Sequence, residues 1–399
     1  MSAVTPSGGG RHPSRRSAVV GAALADCGRL DGTTAYALHA QAARRALADA
    51  GLDPSDVDGF ASAGLGTLAP AEVAAHLGLR PTWVDSTSVG GSTWEVMAAH
   101  AADAIAAGHA RVVLLAYGST ARADIRAGLR PAAHDFGAQG PLGYEAPYGH
   151  TLVAKYAMAA RRHMVEYGTT AEQLAEVAVQ ARANAALNPD ALRREPIDVD
   201  DVQAAPPVAE PFTTLHCCLR SDGGAALVLA SEEYARDCRA APVRVLGTGE
   251  HVSHVALSDW PDFTVSPAAT SGALAFARAG LRPSEMDLAE IYDAFTYTTL
   301  VTLEDLGFCA KGEGGDFVAG GRLLARGGEL PVNTDGGGLS AQHPGMRGLF
   351  LLVEAVRQLR GECGPRQVRR ADGSLPRLAV ASGTGGWFCS SGTVVLGAD

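Results

Sequence analysis

The stretch ADAGLDPSDVD at residues 48–58 returns as ARAGLRPSEMD at residues 277–287. In both copies an Ala-rich segment ends at a glycine, Gly51 or Gly280, and a Pro-Ser turn leads into an apolar run. A glycine just past the last helical turn is a common C-cap, because it adopts the left-handed conformation without strain. The repeat therefore predicts two helix–turn–strand units of one design, and so two similar α/β halves.

The order of the segments after each copy of the repeat also predicts two similar halves. In the first half, a helical segment at 92–107 precedes the apolar run RVVLLAYG, and in the second GLFLLVEAVRQLRG precedes PRLAVASGTGG. Each half then closes with an apolar strand, at 223–231 or 391–398. We predict an N-terminal half at 17–240 and a C-terminal half at 241–399.

An insertion at roughly 120–212 separates shared elements of the first half. It is rich in Ala, Arg, Pro and Tyr and includes FGAQGPLGYEAPYGH. This composition is compatible with a helical lid over a cleft and equally with an interface module.

Composition excludes several classes of function. The chain has 399 residues and a formal net charge of −10, without a basic stripe, which argues against a nucleic-acid partner. No apolar run approaches the ~18 residues of a membrane helix, so we expect no membrane span. Residues 1–16 are polar and rich in Gly, Pro and Ser, and they lack the apolar core of a secretion signal. We expect this tail to be disordered.

The cysteines and lysines limit which disulfides, metal sites and covalent mechanisms the chain can have. The seven cysteines show no C-x-x-C spacing, which predicts neither a disulfide framework nor a zinc site. We expect a reduced, cytoplasmic protein without a bound metal. Lys155 and Lys311 are the only lysines, so an imine mechanism has just two candidates.

Several long motifs carry a resemblance to a known family. A loop of small residues, TSVGGSTW at 87–94, opens a helical segment. The further motifs are LHCCLRSDGGAALVLAS, EIYDAFTYTTLVTLEDLGFCAKGEGGDFV, VNTDGGGLSAQHPG and LLVEAVRQLRGECGPRQV. From about Ser17 to its end, the chain resembles the lipid-transfer-protein branch of the thiolase superfamily, related to the thiolase part of sterol carrier protein. The resemblance implies two α/β halves in a five-layered αβαβα arrangement.

The resemblance also shows where this chain departs from thiolases. Thiolases place a nucleophilic cysteine at the start of the helix after the small-residue loop, where the helix dipole favours a thiolate. The matching residue here is Ser88, which is either a helix cap or a nucleophile that needs a base. The family's oxyanion box becomes Tyr292-Asp293, its basic histidine is kept as His343, and the late Cys-x-Gly-Gly segment has no cysteine. None of the three thiolase cysteine positions holds a cysteine.

These replacements favour an aldol-type reaction on an acyl-CoA or carrier-bound thioester, the chemistry of some members of this branch. Retro-aldol cleavage needs a base for the β-hydroxyl, donors for the enolate oxygen and an acid for the enolate carbon, but no acyl-enzyme. Tyr292 and His343 could supply the base and the donor in either order, with Asp293 orienting a neighbour. Backbone N–H groups that could bind the substrate or the oxyanion belong to Gly90, Gly91, Gly337, Gly338, Gly385 and Gly386.

Two other functions stay open at this point. The chain could be a thiolase-like acyltransferase that uses Ser88 or another group, or a catalytically silent acyl-binding subunit. For an acyl-CoA substrate, coenzyme A enters as part of the substrate, and no covalently bound cofactor is expected. Tyr144 and Tyr148 of the insertion are candidates for lining an acyl channel.

Partners follow partly from the apolar pattern and partly from the resemblance. The apolar strand at 110–118 predicts a homodimer interface, since an exposed edge would not tolerate that run. The resemblance implies a small OB-fold/zinc-ribbon partner protein in addition.

Overall fold

The computed structural model describes residues 17–66, 68–129, 140–148 and 151–398, so the predicted tail at 1–16 lies outside the described residues. Its strands are β1 (Ser17–Leu24), β2 (Gly59–Ala61), β3 (Trp83–Asp85), β4 (Val112–Ser119), β5 (Pro207–Ala209), β6 (Phe212–Thr213), β7 (Gly223–Ser231), β8 (Val243–Val252), β9 (Leu288–Ile291), β10 (Leu378–Gly385) and β11 (Ser390–Gly397).

The helices of the described residues alternate with these strands. They are α1 (Ala35–Ala50), α2 (Ala69–Leu77), α3 (Thr93–Ala106), α4 (Ala121–Arg126), α5 (Leu152–Tyr167), α6 (Ala171–Ala186), α7 (Val199–Ala204), α8 (Glu232–Ala235), α9 (Ala268–Ala279), α10 (Thr296–Leu306), α11 (Gly314–Val318) and α12 (Gly348–Arg360).

The strands form two half-sheets with the same strand order. Outward from β1 the first half runs β1-β7-β4-β2-β3, and outward from β8 the second runs β8-β11-β10-β9. A parallel bridge between Ala289 and Val332 takes the place that β3 has in the first half. The half-sheets join through only two antiparallel pairs, Ala18–Arg244 and Val19–Val243. The prediction of two similar α/β halves is confirmed.

The repeated sequence segments adopt the same local structure. Helix α1 ends at Gly51 with φ 74°, and α9 ends at Gly280 with φ 67°, both in the left-handed region. A short 3-10 turn follows each glycine, at Pro54–Asp56 and at Pro283–Glu285, and leads into β2 or β9. The glycine caps and Pro-Ser turns therefore act as the sequence predicts.

Helix packing gives the order of the layers. Helix α1 covers the outer face of β1, β7 and β4, while α9 covers β8 and β11. Helices α3 and α12 contact each other and strands of both half-sheets, so they lie between the two. This is the five-layered αβαβα arrangement, and it directs the first turns of α3 and α12 toward the same region.

The described part of the insertion is mainly helical and packs on the second half. Helix α6 contacts α10, α11 and the turn at Gly337–Ala341. The Phe212 ring is 1% exposed and stacks on Phe295, with ring centroids 5.1 Å apart and planes 6° apart. The Tyr156 hydroxyl of α5 donates to the Gly386 carbonyl at 2.8 Å. The insertion thus covers the loops that hold the candidate site.

The predicted dimer strand requires a correction. Strand β4 lies between β2 and β7, so the apolar run at 110–118 is buried by its own sheet and needs no second chain to cover it. Within the described sheet, β3 has a neighbour on one side only, and its Val84 is 51% exposed.

Two further sequence expectations can be compared with the described residues. All seven cysteines are free thiols, as the spacing predicts. Among the helices of the described ranges, none combines the length and hydropathy needed to cross a bilayer.

We predict that the Phe212–Phe295 stack anchors the insertion to the second half. Phe212→Ala should lower the free energy of unfolding by about 3–5 kcal/mol, because a fully buried ring is lost and a cavity remains. Urea denaturation followed by circular dichroism measures this change. Val208→Ala in the neighbouring β5, where the side chain is 48% exposed, is the control. An equal loss in both variants would contradict the anchor.

Candidate active site

Tyr292 lies where three parts of the structure meet. It follows β9 directly, and its N–H donates to the Ser382 carbonyl of β10 at 3.0 Å. Its ring rests on Gly91 at the start of α3, where a Cβ would lie 2.5 Å from Tyr292 Cε2. His343 approaches from the π-helical turn Gly337–Ala341. The second half-sheet, the start of α3 and the loop that carries His343 therefore fix this tyrosine.

Tyr292 and His343 are joined by a hydrogen bond. The Tyr292 hydroxyl is 2.9 Å from His343 Nε2, and the Arg347 N–H donates to the same hydroxyl at 3.2 Å. The hydroxyl oxygen accepts from Arg347 and has a second lone pair, so the contact with His343 fits either direction. The phenol donates when the imidazole has its proton on Nδ1, and it accepts when that proton is on Nε2.

Both members of this pair are neutral near neutral pH. Burial raises the pKa of Tyr292 well above its ordinary value of 10.0, and the nearby Cys218 and Tyr117 raise it further. Burial, together with the positive charge of Arg347, lowers the pKa of His343 to about 4. A phenol donor and an imidazole acceptor in this state can relay a proton without a preformed ion pair.

Backbone contacts hold the histidine loop in place. The His343 N–H donates to Ser221 Oγ at 3.0 Å, and the Ser221 N–H donates to the His343 carbonyl at 3.2 Å. The Tyr117 hydroxyl donates to the Pro344 carbonyl at 2.5 Å and accepts from the Met346 N–H at 3.2 Å. The loop that carries the imidazole is therefore held by residues of the first half, Ser221 and Tyr117.

A buried guanidinium connects the segments around the site. Arg347, 0% exposed, donates to both Asp335 oxygens at 2.6 and 2.7 Å and to the Gln342 carbonyl at 2.8 Å. Its Nε lies 3.6 Å from Asp293 Oδ1. Burial opposes the charge, but the Asp335 and Asp293 carboxylates outweigh it and raise the pKa of Arg347. The arginine thus stays charged and ties the π-helical turn to α12.

The structure corrects the prediction for Gly337 and Gly338. The Gly338 N–H donates to Asp293 Oδ1 at 2.7 Å, and the Gly337 N–H donates to Asp335 Oδ1 at 2.8 Å. These N–H groups are taken by carboxylates and are not free for a substrate oxyanion. Burial raises the pKa of Asp293 to about 6, against the opposing effect of Arg347, so this carboxylate is ionised at neutral pH.

The other glycines of the predicted site bring two loops into backbone contact. Gly90 has φ 78°, and a Cβ there would lie 2.7 Å from the Gly386 nitrogen. A Cβ on Gly385 would overlap the Val89 carbonyl oxygen. Side chains at these positions would push the start of α3 away from the end of β10. The roles of Gly90, Gly91, Gly385 and Gly386 as oxyanion donors remain predictions.

Among the described residues around the cleft, Ser88, Cys218 and Cys389 are not activated as nucleophiles. Ser88 is exposed, and no described side chain accepts a hydrogen bond from its hydroxyl. The Cys218 thiol is near Tyr292 and Asp293, but burial and the Asp293 charge raise its pKa to about 12. Burial likewise raises the pKa of Cys389 to about 11. These thiols are protonated at neutral pH, unlike a thiolase nucleophile.

The two tyrosines of the insertion are exposed, and the two lysines of the chain are paired with carboxylates. Tyr144 is 83% and Tyr148 90% exposed, so neither is enclosed within this chain, and their place in an acyl channel stays a prediction. Lys155 is paired with Glu145 at 2.5 Å, and Lys311 is paired with Asp305 at 2.6 Å, which argues against an imine-forming amine. Within the described ranges, no three His, Cys, Asp or Glu side chains cluster as metal ligands.

Sequence reasoning missed three residues of this region. Arg347 and Asp335 neutralise each other at the π-helical turn, and Glu95 is a carboxyl buried in the first turn of α3. The only available signal was a charged residue inside an apolar stretch, as in TWEVMAAH, where Glu95 lies in the predicted helical segment at 92–107. No sequence spacing links Arg347 to Asp335.

Comparison with known proteins identifies the family. Residues 249–398 match the model for the thiolase C-terminal domain-like family. A steroid side-chain-cleaving aldolase of Thermomonospora curvata is 36% identical over 96% of this chain and 98% of its own length. The 17-hydroxy-3-oxo-4-pregnene-20-carboxyl-CoA lyase of Mycobacterium tuberculosis is also 36% identical, over 87% of this chain and 92% of its own length.

A solved structure agrees with these relatives. The Ltp2-ChsH2(DUF35) aldolase superposes with a TM-score of 0.86 at 34% identity, over 96% of this chain and 98% of that chain. Fold, motifs and full-length identity point to the same group. The chain therefore belongs to the thiolase superfamily, in its lipid-transfer-protein branch of thiolase-like aldolases.

Proposed function

We propose that the chain is a lyase that cleaves a β-hydroxyacyl-CoA thioester by a retro-aldol reaction, without an acyl-enzyme. The observation that carries this proposal is the 2.9 Å hydrogen bond between the Tyr292 hydroxyl and His343 Nε2. It joins a donor and an acceptor in a cleft where the nearby thiols are protonated. The names of the full-length relatives, an aldolase and a CoA lyase, support the same reaction class.

In the proposed relay His343 has its proton on Nδ1, so the phenol of Tyr292 donates to Nε2. The substrate β-hydroxyl gives its proton to the Tyr292 oxygen while the phenol proton moves to His343 Nε2. The bond between the α- and β-carbons breaks, its electron pair forms the thioester enolate, and the β-carbon becomes a carbonyl. Return of the proton through Tyr292 to the α-carbon gives the shortened acyl-CoA. Atoms and electrons balance without an added reactant.

Asp293 and Arg347 support the proposed proton relay by holding His343 and Tyr292 in position. Asp293 binds the π-helical turn through the Gly338 and Leu339 N–H groups, at 2.7 and 3.0 Å, and so holds the loop that presents His343. The Arg347 N–H at the start of α12 donates to the phenol oxygen and stabilises it as its proton leaves. We assign the enolate oxygen to N–H groups of the loops at Gly90–Gly91 and Gly385–Gly386.

We predict a clear order among three variants. Tyr292→Phe and His343→Gln should each lower kcat about 100-fold or more, because each removes one member of the relay. Ser88→Ala should keep most of the activity, since no acyl-serine forms. The assay measures release of a carbonyl compound and a shortened acyl-CoA from a β-hydroxyacyl-CoA.

Tyr297→Phe is the matched control, because it also removes the hydroxyl of a fully buried tyrosine, here bonded to the Phe263 carbonyl at 3.4 Å. It should retain far more activity than Tyr292→Phe. An acyl adduct on Ser88, detected by mass spectrometry, would contradict the proposal and favour the acyltransferase. Indifference to all three changes, with folding intact, would favour a silent acyl-binding subunit.

We further propose that the chain forms a homodimer through the free edge of β3 and works with a small OB-fold/zinc-ribbon partner. The open N–H and C=O groups of Trp83–Asp85 and the exposed Val84 support the first contact. The name of the solved aldolase, which joins Ltp2 to ChsH2(DUF35), supports the second. The seven free thiols favour a cytoplasmic location.

The dimer proposal predicts that Val84→Lys weakens self-association at least tenfold, because two lysines would face each other across paired edge strands. Sedimentation velocity over a dilution series measures the dissociation constant. Val165→Lys on α5, where the side chain is 73% exposed, is the control and should leave it unchanged. A wild-type chain that is monomeric at every concentration would contradict the proposal.

A further inference from the structure

Glu95 occupies a pocket made by three glycines. The side chain lies in the first turn of α3, is 1% exposed, and rests against Gly383 of β10, Gly348 of α12 and Gly392 of β11. A Cβ on any of the three would come within 3.0 Å of a Glu95 atom. Separate elements of the second half therefore leave room for this carboxyl.

The carboxyl has no partner in that pocket. Neither Glu95 oxygen makes a hydrogen bond to any described residue, although both are fully buried. A buried carboxylate without a partner is strongly unfavourable, so the group keeps its proton. Burial accordingly raises the pKa of Glu95 to about 8, and no charged neighbour contributes to the shift.

The charged and titratable groups on the elements around Glu95 are engaged elsewhere. On α12, the Arg347 guanidinium binds Asp335, and Glu354 binds Arg366. On α3 itself, His100 binds Asp85 at 2.7 Å, and on β8 Glu250 binds His100 at 3.4 Å. The contacting residues of β10 and β11, Gly383 and Gly392, bring no titratable side chain.

None of those charged groups pairs with the Glu95 carboxyl. The carboxyl lies near Tyr292, the residue that we propose reacts with the substrate. A Cβ on Gly348 would contact both the Glu95 carboxyl and the Gly91 carbonyl oxygen, so all three meet at one point. Gly91 packs on the Tyr292 ring, and the Arg347 N–H just before Gly348 donates to the Tyr292 hydroxyl. The first turns of α3 and α12, with their positive dipole ends, therefore meet between Glu95 and Tyr292.

We propose that Glu95 is a positioning residue whose neutral carboxyl preserves the positive potential of these two helix ends at Tyr292. The inference rests on the proposed lyase function and deepens it. During the relay the phenol receives one proton as it passes on another, and negative charge develops on the enolate oxygen, which we assign to the loops beside these helix ends. A negative charge on Glu95 would oppose that charge, so its ionisation slows the reaction.

The kinetic test compares the wild type with Glu95→Gln, in the presence of the partner protein if the assay needs it. From about pH 7 to about pH 9.5 the wild-type kcat should fall roughly tenfold as Glu95 ionises, whereas in the variant the ratio of the two rates should stay near one. His343, with its pKa lowered to about 4, and Tyr292, with its pKa well above 10.0, do not titrate in this window.

A second measurement on the unliganded protein does not depend on catalysis. The unfolded chain releases the Glu95 proton above its ordinary pKa of 4.5, while the folded chain keeps it up to about 8. Wild-type stability should therefore fall between these values as pH rises, and Glu95→Gln should remove that loss. The urea midpoint of the variant relative to the wild type should rise across this range. Glu233→Gln, at an exposed position on α8, is the control.

The possible results distinguish the role of Glu95 from the lyase function itself. Equal kcat profiles for an active wild type and Glu95→Gln would overturn the role of Glu95 and leave the lyase function intact. A wild type without cleavage activity at any pH would overturn the lyase function and this role together. An infrared difference spectrum that lacks a protonated-carboxyl band for Glu95 at neutral pH would overturn the neutral state directly.

Discussion

The buried guanidinium of Arg347 is the constraint on which the site depends. A fully desolvated charge is tolerated only when it is paired and hydrogen-bonded. Asp335 and the Gln342 carbonyl accept hydrogen bonds from the guanidinium. Asp293 adds a negative charge 3.6 Å from Nε, which has no hydrogen-bond partner among the described residues. Satisfying one charge therefore fixes the π-helical turn, the loop with His343 and the start of α12. Removing one partner would leave an uncompensated charge and disturb all three.

The site held by Arg347 contains two neutral groups, the phenol of Tyr292 and the imidazole of His343. The same Arg347 backbone donates to Tyr292, and its charge helps to keep His343 unprotonated. A thiolase fold normally concentrates helix dipoles on a thiolate. Here the corresponding helix ends face a phenol, and the nearby thiol of Cys218 keeps its proton. In the proposed reaction, the scaffold retains its stabilisation of negative charge but applies it to oxygen atoms.

The sequence predicts the fold because its signals are local. The caps at Gly51 and Gly280 and the Pro-Ser turns act within a few residues, and they specify both halves. Tyr292 and His343 were found through resemblance, since motif position alone identifies them. Arg347, Asp335 and Glu95 were missed because their pairing and burial depend on segments far apart in the chain.

Two predictions failed for related physical reasons. The apolar run at 110–118 was assigned to a dimer interface, but an apolar strand at the centre of its own sheet has the same sequence pattern. Gly337 and Gly338 were assigned to an oxyanion, but the buried carboxylates of Asp293 and Asp335 take their N–H groups. In both cases the outcome depends on which residues lie next to each other in the folded chain. The sequence alone does not show those contacts.

The central claim is that cleavage needs neither free coenzyme A nor an acyl-enzyme. One turnover of a β-hydroxyacyl-CoA in deuterium oxide, analysed by mass spectrometry, tests it most directly. We expect a free carbonyl compound and one shortened acyl-CoA with a single deuterium on its α-carbon, in the absence of added coenzyme A. Cleavage that requires added coenzyme A and yields two thioesters would contradict it.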